Sequence, residues 1–284
     1  MNKFLAYVFY PRSNWHILLK EFIPGFISAC KEADISVKLA IKFGRQRGDH
    51  VRISVSPTVE HHQQLRLLAT LFQRDIHRFL MLYPAFKKTE GPARNLFMDF
   101  PSNSVHYDVF PGQDGAPVIV LADKVCEVDS VLTQIYLACL SDEQIDTENT
   151  ITVILFLLLT LIRSIAPVPA NAKTFCSKVA EFLSAIQPSV ISKEGHSEEL
   201  MDWNTVENIE VFRSIEKEVW TNDHKTNDWL FEWKSLCRIL LMQPGIGSES
   251  MLFYELSDRI YDTLNIPENY RRILSMNIAK LCNP

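Results

Sequence analysis

The stretch Phe43-Gly44-Arg45-Gln46-Arg47-Gly48-Asp49-His50-Val51-Arg52-Ile53-Ser54-Val55 decides how the first third of the chain folds. Two glycines bracket a polar turn, and beyond it polar and apolar residues alternate one by one. Period-two alternation marks a strand with one buried and one polar face. Val51, Ile53 and Val55 share one face, and His50, Arg52 and Ser54 share the other. The apolar face asks for a helix to pack on it. The polar face sets an imidazole beside a guanidinium, a group suited to hold a carboxylate or a polarised carbonyl in a bidentate fork. A solvated edge strand would show the same alternation, so the pattern sets the strand and leaves its use open.

Working outward, Ile35–Phe43 reads as the preceding strand of a hairpin, and Phe4–Tyr10 (FLAYVFY) as the first strand. Between them Trp15, Leu18, Leu19, Phe22, Ile23, Phe26, Ile27 and Cys30 have helical spacing. Pro24 inside that run predicts a kink or a split. Ser56-Pro57 has the form of an N-cap followed by a first-turn proline, which predicts a long helix from there to about Tyr83. Asn95–Phe100, Ser104–Phe110 and Pro117–Leu121 suggest short strands. From about Asp129 the pattern is helical, with helices expected near 129–140, 148–165, 171–186, 204–220, 226–241, 248–264 and 267–281. Asn265-Ile266-Pro267-Glu268 is a candidate start for the last of these. The expected fold class is therefore α+β. A β-α-β-β sheet layer lies in a β-rich part to about residue 122, and a mostly helical part covers 123–284. No linker separates them, so 1–284 reads as one unit.

The net charge of −5 conceals an asymmetry. Residues 1–120 carry 15 Lys and Arg against 10 Asp and Glu, whereas residues 121–284 carry 14 against 24. A basic first part and an acidic second part do not make the basic footprint of a nucleic-acid binder. They suit a groove that meets a charged peptide, or simply two solvated faces. The six cysteines form no C-x-x-C pair and no Cys/His cluster of zinc spacing, so a reducing cytoplasm and no metal are expected. Phosphate-loop, dinucleotide, zincin and nucleophile-elbow signatures are absent, and nine glycines leave little for a phosphate cradle, so no cofactor is expected. The most apolar run, Ile151–Ile162, has about a dozen residues where a span needs about twenty. It reads as a buried core helix, with no membrane partner.

The His50-Val51-Arg52 strand and its glycine turn resemble the G-x-H-[LIV]-R stretch of the lantibiotic dehydratase C-terminal domain, also called the thiopeptide-type bacteriocin biosynthesis domain. That domain opens with an aromatic strand, a proline-interrupted helix, a second strand and then this strand. Phe4–Val55 follows the same order. Lys124–Ser130 (KVCEVDS) resembles the family's V-F-x-x-D-S helix start, and Ile273–Leu281 (ILSMNIAKL) resembles its L-L-H-M-H-x-N-R-L ending.

The resemblance implies work on a ribosomally made peptide. Elimination enzymes of the family use strand arginines and a C-terminal histidine to remove glutamate from a glutamylated Ser or Thr. Arg52 matches one such arginine, and Arg12 falls where another is expected. Ser275 or Asn277 stands where the histidine belongs, and neither is a base near neutral pH. This departure favours two readings over glutamate elimination: one of the family's stand-alone pyridine synthases, which join two dehydroalanines in a formal [4+2] cycloaddition and lose water and the leader peptide, or a non-catalytic leader-binding scaffold. The pyridine synthase is the first reading, and elimination and the scaffold are the alternatives.

On that basis Arg12, His50, Arg52, Tyr270 and Ser275 are the catalytic candidates. His50 is either a proton shuttle or a structural histidine bonded to a backbone carbonyl. Arg66, Arg74, Arg78, His106 and Tyr107 are candidates for binding substrate, the three arginines as one wall of a leader groove. The expected partner is a modified precursor peptide with its leader. Dehydratase or azole-forming enzymes are further partners, and a homodimer is compatible with the sequence.

Overall fold

The computed structural model describes residues 3–45, 47–58, 62–85, 100–107, 124–141, 147–186, 206–221, 229–242 and 248–266, together with 271, 274, 275, 277 and 278. The fold is α+β, as expected. It divides into two compact units, Met1–Val118 with Ala122–Ile145, and Ile119–Leu121 with Asp146–Pro284.

The first unit is built on an antiparallel sheet of order β2-β3-β1-β4. Its strands are β1 (Phe4–Phe9), β2 (Val37–Gly44), β3 (His50–Pro57) and β4 (Ser104–Tyr107). The alternation in β3 is realised: Val51, Ile53 and Val55 are fully buried. They join Ala6, Val8, Leu39 and Ile41 in one core. Each such apolar side chain contributes about 1.5–3 kcal/mol by leaving water.

Two helical segments cover this face. The first runs from a turn of α-helix, α1 (Trp15–Ile17), through a π-helical turn (Leu18–Phe22) into α2 (Ile23–Glu32). Pro24 lies in the first turn of α2. A proline offers no N–H to the preceding turn and its ring crowds the carbonyl there, so the widened π turn is the form the predicted interruption takes. The second segment is α3 (His62–Leu82), which buries Leu68, Phe72, Ile76 and Phe79. Phe72 meets Phe4, Phe22 and Phe26 edge-on at centroid separations of 5.2–5.3 Å.

The long helix does not start at Ser56-Pro57. Both residues extend β3, opposite Lys38 and Val37 of β2, and α3 is described from His62. On its other side, among the described residues, β3 pairs with β1 as far as Val55, opposite Phe4. Pro57 therefore ends a strand, a position where its missing N–H breaks no inner ladder.

The outer edge of β2 is closed by α4 (Val125–Ser141). The Ile41 backbone N–H donates to Thr133 Oγ1 at 3.0 Å, a side chain taking the place of a fifth strand. The helical part expected from about 123 thus begins with a helix that belongs to the sheet unit. The strands expected at 95–100 and 117–121, and the end of that at 104–110, fall outside the described residues except at Phe100 and Ser104–Tyr107.

The second unit gathers α6 (Pro169–Ile186), α7 (Val206–Thr221), α8 (Trp229–Leu241) and α9 (Glu249–Thr263) around α5 (Thr147–Ile165). The apolar run of α5 is its core, with Leu157, Leu158 and Leu161 fully buried and Trp233 Nε1 donating to the Leu157 carbonyl at 2.9 Å. Among the described residues no single helix is long and apolar enough to cross a membrane. Asn265, expected to open the last helix, instead closes α9. It adopts a left-handed φ of 56°, and the Ile266 N–H reaches back to the Tyr261 carbonyl at 2.8 Å.

Phe72→Ala is expected to destabilise the sheet unit by about 3–5 kcal/mol, because it empties the centre of the aromatic cluster. Denaturant melts followed by tryptophan fluorescence check this, since Trp15 is buried in the same core.

Candidate functional site

The polar face of the sheet carries two rows of side chains that run across all four strands. One row is Gly44, His50, Phe9 and Ser104. The next is Lys42, Arg52, Tyr7 and His106. Tyr7 and Phe9 lie on this face and are nonetheless buried, so the face is covered where these rings sit. Phe9 contacts the His50 ring at 5.1 Å, Phe100 at 4.6 Å and His106 at 5.5 Å. The Arg47 guanidinium stacks over Phe100 at 4.4 Å.

His50 is held in place by the hairpin that precedes it. Its ring lies over Gly44, where a methyl group would overlap Nε2 and Cε1. Its Nδ1 donates to the Gly48 carbonyl at 3.0 Å. The turn that brings this carbonyl round uses left-handed backbone at Arg47 and Gly48, with φ of 57° and 115°. Burial lowers the His50 pKa from its ordinary 6.5, and the neighbouring Arg52 charge adds to this against the opposing pull of the Gly48 bond and Asp49. His50 is therefore a neutral, fixed imidazole near pH 7. Of the two readings open from the sequence, the carbonyl-bonded one describes its geometry.

Arg52 lies directly opposite Tyr7 on one side and Lys42 on the other. Lys42 shares this row, a placement that sequence reasoning passed over. Its Nζ lies 3.6 Å from Oδ2 of Asp129 on α4, and both side chains are largely buried. Asp129 belongs to the D-S pair that resembled the family's helix start, which was the available signal. Its partner on β2 had none, because cross-strand register is a tertiary fact.

The other candidates are dispersed. Arg12 is exposed in the turn after β1, where its backbone N–H meets Asp49 Oδ2 at 3.4 Å, at the end of the sheet that carries His50. His106 is on the polar face and shares a 3.1 Å contact with Ser104 Oγ. Tyr107, next along β4, projects to the opposite face with Val105, as strand alternation requires. Arg66, Arg74 and Arg78 are exposed on α3, which covers the apolar face, so they do not line the surface around Arg52. Arg74 is engaged by Asp75 at 2.7 Å. Tyr270 lies outside the described residues.

In the helical unit Ser275 is buried, and its hydroxyl shares a 2.8 Å hydrogen bond with the Tyr261 hydroxyl. Burial pushes the Tyr261 pKa far above the ordinary tyrosine value. The pair is neutral at any physiological pH. Arg271 anchors the segment that carries Ser275, bridging Asp258 at 2.9 Å and Asp262 at 2.7 Å and donating to the Ile266 carbonyl at 3.0 Å. No group of three or more His, Cys, Asp or Glu able to hold a metal ion occurs among the described residues.

Gly44→Ala should swing the His50 ring out of its seat and raise its pKa toward the ordinary value, as read from the imidazole resonances in NMR titration. The lowered pKa has a stability consequence of definite sign. The unfolded chain takes up the His50 proton near 6.5 and the folded chain only lower. Stability from this group is complete above 6.5 and is lost as pH falls toward the folded value. Melting temperatures between pH 8 and 5 should fall more steeply for the native chain than for His50→Gln.

No family model matches this sequence, and no curated protein matches it. Solved structures do. The pyridine synthase TbtD from thiomuracin biosynthesis superposes with a TM-score of 0.69 at 14% identity, over 98% of this chain and 97% of that one. The tRNA-dependent lantibiotic dehydratase MibB from Microbispora sp. 107891 superposes with a TM-score of 0.52 at 12% identity, over 99% of this chain and 28% of that one. The chain has the fold that these two proteins share, which is the fold expected from the His50-Val51-Arg52 strand.

Proposed function

We propose that the chain is a thiopeptide pyridine synthase, acting on a dehydrated, leader-bearing precursor peptide. One dehydroalanine, with its amide in the imidic acid form, supplies a C=C–N=C unit. The C=C of a second dehydroalanine adds across it in a formal [4+2] step. The ring formed carries a hydroxyl on carbon. Loss of water, then of the leader peptide as its amide, leaves the aromatic pyridine with no oxidant required. Most of the barrier is the cost of aligning two distant alkenes, which a rigid surface lowers. The remainder is charge on the amide oxygen, which fixed donors stabilise.

The polar sheet face suits these tasks. Arg52 stands in a row with Lys42, Tyr7 and His106 on this face. In this reading Arg52 and Arg12 bind carbonyl oxygens, His50 is a neutral wall, and His106 contacts the peptide. Arg66, Arg74 and Arg78, on the opposite side of the sheet, suit the leader better than the reacting core.

One observation carries the choice of ring formation over elimination. Where the family's elimination enzymes are expected to place a histidine base, this chain has the neutral Tyr261–Ser275 pair. Removing glutamate needs a base for the α-proton. The cycloaddition itself needs none, and the ring protons that leave with water and the leader amide come off a ring whose aromatisation drives their loss.

Incubation of the pure protein with a dehydrated, azole-bearing leader–core peptide, followed by mass spectrometry, tests the reading. Free leader amide and a macrocycle lighter by leader plus water are expected. Loss of glutamate from a glutamylated peptide, with no macrocycle, would replace it by elimination. Arg52→Ala should lower kcat by about 10²–10³-fold, the usual cost of removing one oxyanion donor, with the circular dichroism spectrum unchanged.

A further inference from the structure

We infer that Nδ1 of His106 is a fixed hydrogen-bond acceptor for a ligand N–H at the β4 end of the polar sheet face, and that Ser104 is its positioning residue. This rests on the reading above only for the source of that N–H, an amide of the precursor peptide beside a dehydroalanine.

The protonation of the ring follows from one hydroxyl. Ser104 Oγ lies 2.6 Å from the Pro101 carbonyl oxygen, which can only accept, and 3.1 Å from His106 Nε2. A hydroxyl has one proton, and the shorter contact takes it. The hydroxyl oxygen then has only lone pairs to offer Nε2, so Nε2 carries the N–H. Nδ1 is left as the acceptor of the neutral ring. His50 is the opposite tautomer, with its Nδ1–H given to the Gly48 carbonyl.

The ring and its anchor are both held. His106 packs 4.3 Å from Phe100 and meets Phe9 edge-on at 5.5 Å. The Phe100 N–H donates to the Arg47 carbonyl at 2.8 Å, and the Arg47 guanidinium covers the Phe100 ring. Two residues beyond Pro101, the Asn103 N–H donates to the Phe9 carbonyl at 2.8 Å, and the Asn103 side chain pairs with both backbone groups of Ala85. The Pro101 carbonyl therefore sits on a segment tied at both ends. Nδ1 itself is unmet. Among the described residues it has no hydrogen-bond partner, and the buried side-chain atoms without one are Thr160 Oγ1, Glu255 Oε2 and Thr263 Oγ1, all in the other unit. His106 is half-buried at the end of its row, whereas Tyr7 beside it is fully covered.

An acceptor fixed in place selects a donor. In a dehydrated, azole-bearing peptide the serine hydroxyls have been lost to dehydration, and the cysteine thiols and their backbone N–H groups to azole rings. The donors that remain on the core are amide N–H groups, those of dehydroalanines among them. Holding one such N–H restrains the rotation of its dehydroalanine, which is part of the alignment that the reaction requires.

Imidazole nitrogen NMR of the isotope-labelled chain tests the inference without turnover. The free protein should show His106 with Nε2 protonated and Nδ1 bare, the signals being assigned by their loss in His106→Gln. A saturating dehydrated leader–core peptide should shift Nδ1 in the direction of an accepted hydrogen bond and leave Nε2 nearly still. Ser104→Ala should give a mixture of the two tautomers and weaken peptide binding several-fold, and Ser104→Thr should restore both. An asparagine side chain can place its oxygen where Nδ1 stands, whereas glutamine reaches the Nε2 position. His106→Asn should therefore bind peptide within about twofold of the native chain, and His106→Gln about fivefold or more weakly. Melting curves identify any variant that fails to fold, and the spectra of the native chain decide the question regardless.

A protonated Nδ1 in the free protein at about pH 8, where an ordinary imidazole is neutral, would overturn the inference. So would an Nδ1 resonance that saturating peptide leaves unmoved. A shifted Nδ1 together with an absence of any macrocycle would leave the inference standing and remove the pyridine-forming reaction.

Discussion

Everything on the candidate site depends on the burial of one face of β3. Val51, Ile53 and Val55 are fully enclosed between the sheet and its covering helices. Because side chains along a strand alternate, that burial dictates where His50 and Arg52 must point. A slip of one residue in register would bring a guanidinium into the aromatic core and turn three β-branched side chains to solvent. The energetic penalty is several times the net stability contributed by any polar contact on the other face. The core holds the site residues in place even where their own interactions are weak.

The second constraint is at the strand ends. A hairpin with left-handed residues at Arg47 and Gly48 returns a carbonyl to His50, and Gly44 leaves room for the ring. The imidazole is thereby fixed and kept neutral. At the opposite edge, α4 satisfies the exposed strand with Thr133 and carries Asp129 to Lys42. His50 and Phe9 share one row of this face, and the Lys42–Asp129 ion pair ends the next, which continues through Arg52 and Tyr7.

The helical unit makes a complementary point. A resemblance to the family's C-terminal ending directed attention to Ser275, and the structure gives it a partner that no motif announced. Tyr261 lies 14 residues earlier, on α9, and meets Ser275 only because Asn265 reverses the chain and Arg271 ties the following segment to Asp258 and Asp262. The pair is buried and neutral, which bears on the kind of chemistry in a way that the bare substitution of serine for histidine does not.

The sequence by itself determined the strands of the hairpin, the interruption at Pro24, the buried character of α5 and the two-faced nature of β3. Each of these follows from local periodicity or from the covalent limits of proline, and so is written in consecutive residues. It misassigned Ser56-Pro57, because a strand end and a helix start present the same Ser-Pro pair and only the pairing with β2 distinguishes them. Only the tertiary structure decided that Lys42 stands opposite Arg52, that α4 belongs to the sheet, and that the α3 arginines lie across the core from the hairpin. Those relations join residues far apart in the chain, and they are set by register, edge coverage and shared burial, none of which has a local signature.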